Sequence, residues 1–280
     1  MTKKKRNETR EKKDFTRRYM ALLKEELEVK GLNTVCQSAK RPNIGECFKK
    51  KTSTFLILGK NCMRKCAFCA VEKYTPESID VEEPVKVAKV IKKLGLSYTV
   101  ITSVTRDDLP DGGAQYFSET VNEIESVLPN IKVEVLVPDF CDRTQSINVV
   151  LSSKPDVFSH NLETVPSLYG KVRKGADYKR SLNVLKYGKD GGFKVKTGIM
   201  LGLGETEKQV FETIKDIKEI NIDILTIGQY LAPTKRHYPV VKEYNDEEFQ
   251  KIRDFAFSIG IKQVVSGRYI RSSYLAQEYF

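Results

Sequence analysis

The chain has 280 residues, 40% hydrophobic and 30% charged, with 48 Lys and Arg against 37 Asp and Glu for a net charge of +11. That supplies enough apolar material for a sizeable core and excludes collagen, coiled-coil and wholly disordered classes. No apolar run approaches the ~18 residues of a membrane span and no apolar segment opens the chain, so a cytoplasmic protein with its six cysteines reduced is expected.

Residues 1–30 carry almost half of the excess charge and run from a basic tail into a helical pattern near Arg17–Lys30. Such a head is either a solvated tail or a contact for nucleic acid or an acidic partner. Residues 31–52 lack periodicity and hold Cys36, Pro42, Gly45 and Cys47, which is loop chemistry. From there short β-branched runs alternate with helical patterns. Strands are expected at Ser53–Leu58, Tyr98–Ser103, Lys132–Val137, Val157–His160, Phe193–Leu201 and Ile224–Leu231. Helices are expected at Glu83–Leu94, Gln115–Val127, Thr144–Leu151, Lys179–Tyr187, Glu205–Glu219 and Asp246–Ser258, and a last short run at Lys262–Ser266 either adds a strand or closes one end. Six strand-then-helix units imply a parallel sheet with right-handed crossovers. The expected fold is α/β, a partial (β/α)6 TIM-type barrel with N- and C-terminal extensions. Its divisions are a basic extension and cysteine loop at 1–52, the barrel at 53–260 and a C-terminal extension at 261–280.

In such folds the chemistry gathers at the carboxyl ends of the strands. The unusual residues fall there: Cys62 after the first strand, Arg106-Asp107-Asp108 after the second and Asp139 after the third. Asn161 and Glu163 follow the fourth, Glu205 the fifth, and Gln229 lies late in the sixth. Arg106, Asp107 and Asp108 read equally well as a structural salt-bridge corner. Arg173 is a candidate to hold a carboxylate bidentately. His237, in the loop after the sixth strand, is either solvated or faces a substrate. No nucleophile or general-base triad is evident.

Cys62, Cys66 and Cys69 form C-x3-C-x2-C. Three thiolates at this spacing suit one face of a [4Fe–4S] cluster and leave the fourth iron without a protein thiolate. A zinc knuckle is the alternative, but it wants a fourth nearby ligand, and neither His160 nor His237 is close in sequence. This loop, placed after the first strand of a parallel α/β unit, resembles the signature of the radical S-adenosylmethionine enzymes. That resemblance implies that the open iron binds S-adenosylmethionine, whose reductive cleavage gives a 5′-deoxyadenosyl radical. It also implies that Phe68 lies by the adenine, and that Gly198 and Gly202, in the stretch Gly198-Ile-Met-Leu-Gly-Leu-Gly-Glu205, let backbone approach the nucleoside. Asn161, Glu163, Arg173 and Glu205 are the remaining candidates to contact that cofactor.

Upstream stand Cys36 and Cys47, the latter closing Pro-Asn-Ile-Gly-Glu-Cys. Further along come Val104-Thr-Arg-Asp-Asp-Leu-Pro-Asp-Gly-Gly-Ala114, His160-Asn-Leu-Glu-Thr-Val-Pro166, Val172-Arg-Lys-Gly-Ala-Asp-Tyr178, Leu225-Thr-Ile-Gly-Gln-Tyr-Leu231 and Arg271-Ser-Ser-Tyr-Leu-Ala276. The ordered set resembles the lipoyl synthase family over nearly the whole chain. The resemblance implies sulfur insertion at carbons 6 and 8 of an octanoyl chain held on a lysine of a carrier protein. The carriers would be the E2 subunits of 2-oxoacid dehydrogenases and the glycine cleavage H protein, with a separate protein donating electrons; neither a membrane nor a nucleic acid is an expected partner. It implies a second, auxiliary [4Fe–4S] cluster that gives up sulfur, held by upstream cysteines and one serine of the Arg-Ser-Ser-Tyr motif. Ser273 is the choice for that ligand, with Ser272 in reserve. The chain departs from the family at position 41, where the middle auxiliary cysteine is replaced by Arg41, which cannot ligate iron. Cys36, Cys47 and Ser273 then remain, with Cys141 as a possible substitute. Two other readings stay open: a divergent enzyme that cleaves S-adenosylmethionine without inserting sulfur, and a non-enzymatic cluster or zinc scaffold that binds RNA.

Overall fold

A computed structural model of the chain describes residues 25–35, 50–274 and 276–279. Cys36, Arg41, Cys47 and most of the basic head lie outside the described residues. A single sheet of eight strands is ordered as in the sequence: β1 Asn33–Thr34, β2 Thr52–Ile57, β3 Tyr98–Ser103, β4 Lys132–Leu136, β5 Val157–Ser159, β6 Val195–Leu201, β7 Ile224–Gln229 and β8 Gln263–Gly267. Strands β2 to β8 pair in parallel, and β1 adds antiparallel to β2. The helices of the six expected units follow β2 to β7: α1 Glu83–Leu94, α2 Ala114–Val127, α3 Thr144–Ser152, α4 Tyr178–Asp190, α5 Glu207–Glu219 and α6 Asp246–Ser258. The order is that of an open, partial barrel: β1 and β8, at the two ends of the sheet, are not paired. Both β1 and β8 fall in stretches expected as extensions, so the sheet reaches beyond the expected barrel limits.

Four strand boundaries are shorter than the alternation suggests. Phe193 and Lys194 are excluded from β6 because the Phe193 N–H turns back to the Gly188 carbonyl. Helix α5 begins at Glu207 rather than Glu205, because Thr206 is its N-cap in a capping box with Gln209. Strands β4 and β5 end at Leu136 and Ser159, and β7 ends at Gln229 rather than Leu231. Strand β1 was not expected; two residues carry no readable period.

The sheet separates two chemistries by alternation. One face packs Phe55, Ile57, Ile101, Val133, Val135, Phe158 and Ile227 into the main apolar core with the helices. The other carries Glu134, Ser159, Lys196 and Gly198. Glu134 there accepts from Tyr98 (2.8 Å), Ser159 (2.7 Å) and the Lys196 ammonium (2.9 Å), and both members of this ion pair are fully buried. Replacing one partner strands the other charge in a low-dielectric interior. Glu134→Gln is therefore expected to cost ~3–5 kcal/mol in urea unfolding, whereas Glu134→Gln/Lys196→Met should recover much of that loss.

The C-terminal residues run across this second face. At Gly228, on β7, an added Cβ would strike the Ile270 carbonyl oxygen. Ala276 packs on Tyr98 and Val100. Thr52, at the start of β2, donates to Gln277 Oε1 at 2.6 Å, and Lys50 pairs with Glu278 at 2.7 Å. The tail thus stretches from the carboxyl end of β7 to the amino end of β2, with the two serines between.

Candidate active site

The cysteine loop leaves β2 and is fastened to three neighbouring loops by backbone hydrogen bonds. The Met63 N–H donates to the Thr105 carbonyl after β3, Ala67 N–H to Val172 O after β5, and Tyr238 N–H, from the loop after β7, to Ala67 O. Cys62 N–H donates to Glu72 O, and Thr105 N–H donates to the Cys62 sulfur at 3.3 Å. Cys62, Cys66 and Cys69 are half-buried free thiols. Burial pushes the Cys66 thiol up, against the pull of the Arg173 and Arg64 charges. Burial likewise pushes Cys69 up to about 12, and the neighbouring Cys66 and Cys62 add to the shift. Phe68 is half-buried against the main core.

Facing this loop are the residues after β5. Glu163 lies in the left-handed region (φ 67) and bridges to Ile199 of β6, its N–H donating to Gly198 O at 2.9 Å and its carbonyl accepting from Met200. A side chain with a positive φ is strained, and the surrounding structure must over-determine it. Asn161 Nδ2 donates to Glu163 Oε1 (3.1 Å) and to Ser272 Oγ (3.2 Å), so the C-terminal serine pair meets the β5 loop. Ser273, beside it, is buried. Asn161 Oδ1 is buried without a partner, and it would lie 3.2 Å from a Cβ added at Gly198, where Thr226 Oγ1 would be only 2.6 Å away. The glycine therefore keeps open a niche edged by an unpaired acceptor, which suits an amino or hydroxyl donor of a bound nucleoside or amino acid.

Arg173 is buried, yet its fork meets only neutral groups: Tyr169 OH at 2.8 Å, Ser181 Oγ at 3.0 Å, the Leu162 carbonyl and His160 Nε2 at 3.4 Å. It lacks a carboxylate partner among the described residues, although the charges of Glu163 and Cys66 act on it. A buried cation of this kind is complementary to an anion brought from outside, whether thiolate-bound cluster or ligand carboxylate. His160 contacts the Val137 carbonyl through Nδ1 at 2.8 Å. Burial, then the Arg173 charge, lowers it to about 3, so it stays neutral with Nε2 facing Arg173. Because the folded value lies below the unfolded 6.5, its contribution is complete above pH 6.5 and is lost as pH falls toward 3. This group should make the protein ~2 kcal/mol less stable at pH 5 than at pH 7, a slope that His160→Asn should flatten in urea titrations.

Two candidates are spent inside the protein. Glu205 accepts the Gly202 N–H (2.6 Å) and the Leu203 N–H (2.9 Å) and so shapes the glycine turn itself. Gln229 donates to the Leu201, Tyr230 and Lys242 carbonyls and accepts from Tyr244 N–H, locking the end of β7. Arg106 pairs with Asp108 at 2.8 Å, as a salt-bridge corner would, but Asp107 turns to Arg64 instead. His237 Nδ1 is 2.9 Å from Thr234 Oγ1. Cys141 donates to Asp107 (3.1 Å) and lies by Arg64, with burial and Asp107 raising its thiol. Arg64 did not stand out in the sequence, and His160 only as a distant histidine opening the His160–Pro166 motif; their place beside Cys66 and Asn161, after folding, marks them.

The residues fit the cluster and cofactor that the resemblance implies. Three thiols are close enough to perturb one another. Among the described residues, no group of three or more His, Cys, Asp or Glu side chains is gathered tightly enough for a single metal ion. Also among the described residues, no helix is long and apolar enough to cross a membrane.

Residues 56–217 match the model of the Radical SAM superfamily. A structure of Streptococcus suis SuiB bound to precursor peptide SuiA superposes with a TM-score of 0.60 at 14% identity, covering 80% of this chain and 52% of that one, a likeness of fold. Fold, loop and match make this chain a radical S-adenosylmethionine protein. Within that class the relatives are specific. The lipoyl synthase of Caldicellulosiruptor saccharolyticus is 52% identical over 249 residues, covering 88% of this chain and 87% of its own. That of Aquifex aeolicus is 49% identical over 249 residues, covering 88% and 90%. The chain belongs to the lipoyl synthase family.

Proposed function

We propose that this chain completes lipoyl groups on carrier proteins, inserting sulfur at carbons 6 and 8 of an octanoyl chain on a lysine. The observation that carries this reading is that two distant motifs meet the segment after β5: the Arg-Ser-Ser-Tyr tail where Asn161 donates to Ser272, and the cysteine loop where Ala67 N–H donates to the Val172 carbonyl. Cys62, Cys66 and Cys69 would hold a [4Fe–4S] cluster. When bound, cluster and S-adenosylmethionine supply hydrogen-atom abstraction from an unactivated carbon. The chain's own part is to bind, orient and exclude water. Asn161 Oδ1, Glu163 and the niche at Gly198 would hold polar groups of the cofactor, Phe68 would flank its base, and Arg173 would meet an anion. Glu205 acts through the turn at Gly202.

An auxiliary [4Fe–4S] cluster, held by Cys36, Cys47 and Ser273 or Ser272, would be the sulfur source. A serine oxygen is a harder ligand than thiolate, apt for a cluster that must release sulfide. The N-terminal segment 1–52 would carry two of these ligands, the barrel 53–260 the radical chemistry and the segment 261–280 the serine. The carriers would be the E2 subunits of 2-oxoacid dehydrogenases and the glycine cleavage H protein, met in the cytoplasm, with a separate protein as reductant. A net charge of +11 favours acidic carrier domains.

Arg41 in place of a thiolate favours a second reading, in which S-adenosylmethionine is cleaved without sulfur insertion. Iron counting by Mössbauer spectroscopy on anaerobically reconstituted wild type and Arg41→Cys decides between them. Roughly eight irons per wild-type chain support the first reading. A ceiling of four that rises only in Arg41→Cys, with 5′-deoxyadenosine but no thiolated product from wild type, supports the second.

A further inference from the structure

Arg64 stands in the cysteine loop between Cys62 and Cys66, and its side chain is buried in the rim. Nε donates to Asp107 Oδ2 and an Nη to Asp107 Oδ1, both at 3.0 Å. The same Nη reaches Asp139 Oδ1 at 2.5 Å and the Cys141 sulfur at 3.3 Å. Asp107 follows β3 and Asp139 follows β4. Arg180, on α4, approaches the other oxygen of Asp139 at 3.4 Å. The backbone anchors of the loop are Met63 on one side and Ala67 on the other; between them, among the described residues, the Arg64 fork ties the loop to its neighbours.

Two arginines balance two carboxylates, so the group adds no net charge beside the cysteines. Beside the pull of the Arg64 charge on Cys66, its effect on them is geometric. Burial lowers the proton affinity of Arg64, but bonds to Asp139 and Asp107 outweigh this and raise it. Burial raises Asp139, and Arg64 outweighs that too, holding it at about 2. A planar fork on one carboxylate with a second at right of its outer nitrogen fixes direction as well as distance, which a lysine ammonium does not.

We propose that Arg64 is a positioning residue for the three-cysteine cluster, pinning the middle of the loop to the β3 and β4 ends so that Cys62 and Cys66 are preset for iron. The proposal rests on the reading that these cysteines hold a [4Fe–4S] cluster. It concerns a side chain whose hydrogen bonds go to Asp107, Asp139 and Cys141; supporting groups of this kind govern how tightly a site keeps its metal.

The test uses the full chain, anaerobically reconstituted, and follows iron release to excess bathophenanthroline alongside thermal melting. Arg64→Lys keeps the charge and loses the fork. Arg64→Met/Asp139→Asn removes Arg64 and its fully buried partner together and leaves only the partly exposed Asp107 and Arg180, so that no fully buried charge is stranded and the fold is kept. Both variants should release iron about 10- to 100-fold faster than wild type, with the double variant melting near the wild-type temperature. Release at the wild-type rate from both overturns the proposal. Faster release only in proportion to a lowered melting temperature also overturns it, since that is what a purely structural residue would do. A wild type that assembles no [4Fe–4S] cluster overturns the underlying reading, and the proposal with it.

Discussion

Cys66→Ala should leave a folded protein that assembles no site-differentiated cluster and cleaves no S-adenosylmethionine. The side chain is half-buried at the midpoint of the loop, and the loop's backbone anchors at Met63 and Ala67 do not depend on its sulfur. The fold should therefore survive, with the cost confined to a small cavity. The chemistry should not survive, because two thiolates cannot hold three irons of a cubane face. Circular dichroism and the electron paramagnetic resonance spectrum of the reduced protein check the two halves separately. A Cys66→Ala protein that still forms 5′-deoxyadenosine at the wild-type rate would refute the assignment of the loop.

Gly228→Val should separate the two stages of the reaction. A Cβ at this position would collide with the Ile270 carbonyl and come within 3.3 Å of the Arg271 guanidinium, at the point where the tail crosses β7. Backbone cannot give way as a flexible side chain does, so the tail must shift. Overpacking of this kind costs ~1–3 kcal/mol, small enough for the barrel to remain folded. Ser272 and Ser273 lie only a few residues on, and the bond from Asn161 to Ser272 should be lost. Formation of 5′-deoxyadenosine should fall by no more than a few-fold, while thiolated product falls to background. Equal loss of both would mean that the tail supports the barrel rather than a separate sulfur site.

Much of this was legible in the sequence, for a physical reason. Buried parallel strands read as apolar runs, and amphipathic helices between them read at their own period. Hence Tyr98–Ser103, Glu83–Leu94 and Asp246–Ser258 coincide with the observed elements. The cysteine loop was readable because its three cysteines lie within eight residues of one another. The rest depends on contacts across the sheet. The Glu134–Lys196 pair joins residues 62 apart, and Arg64 meets Asp139 75 residues on. No local pattern encodes such partners. Glu205 shows the converse: a motif glutamate at a strand end looks like a ligand contact until its two oxygens are seen on backbone N–H groups.

Incubating the anaerobically reconstituted wild-type chain with an octanoyl-lysyl peptide, reductant and S-adenosylmethionine, and weighing the peptide by mass spectrometry, tests the assignment most directly. A peptide that gains two sulfurs with no net change in hydrogen, the dithiol form kept by the reductant, is the expected result. An unchanged octanoyl peptide in the presence of 5′-deoxyadenosine would contradict it.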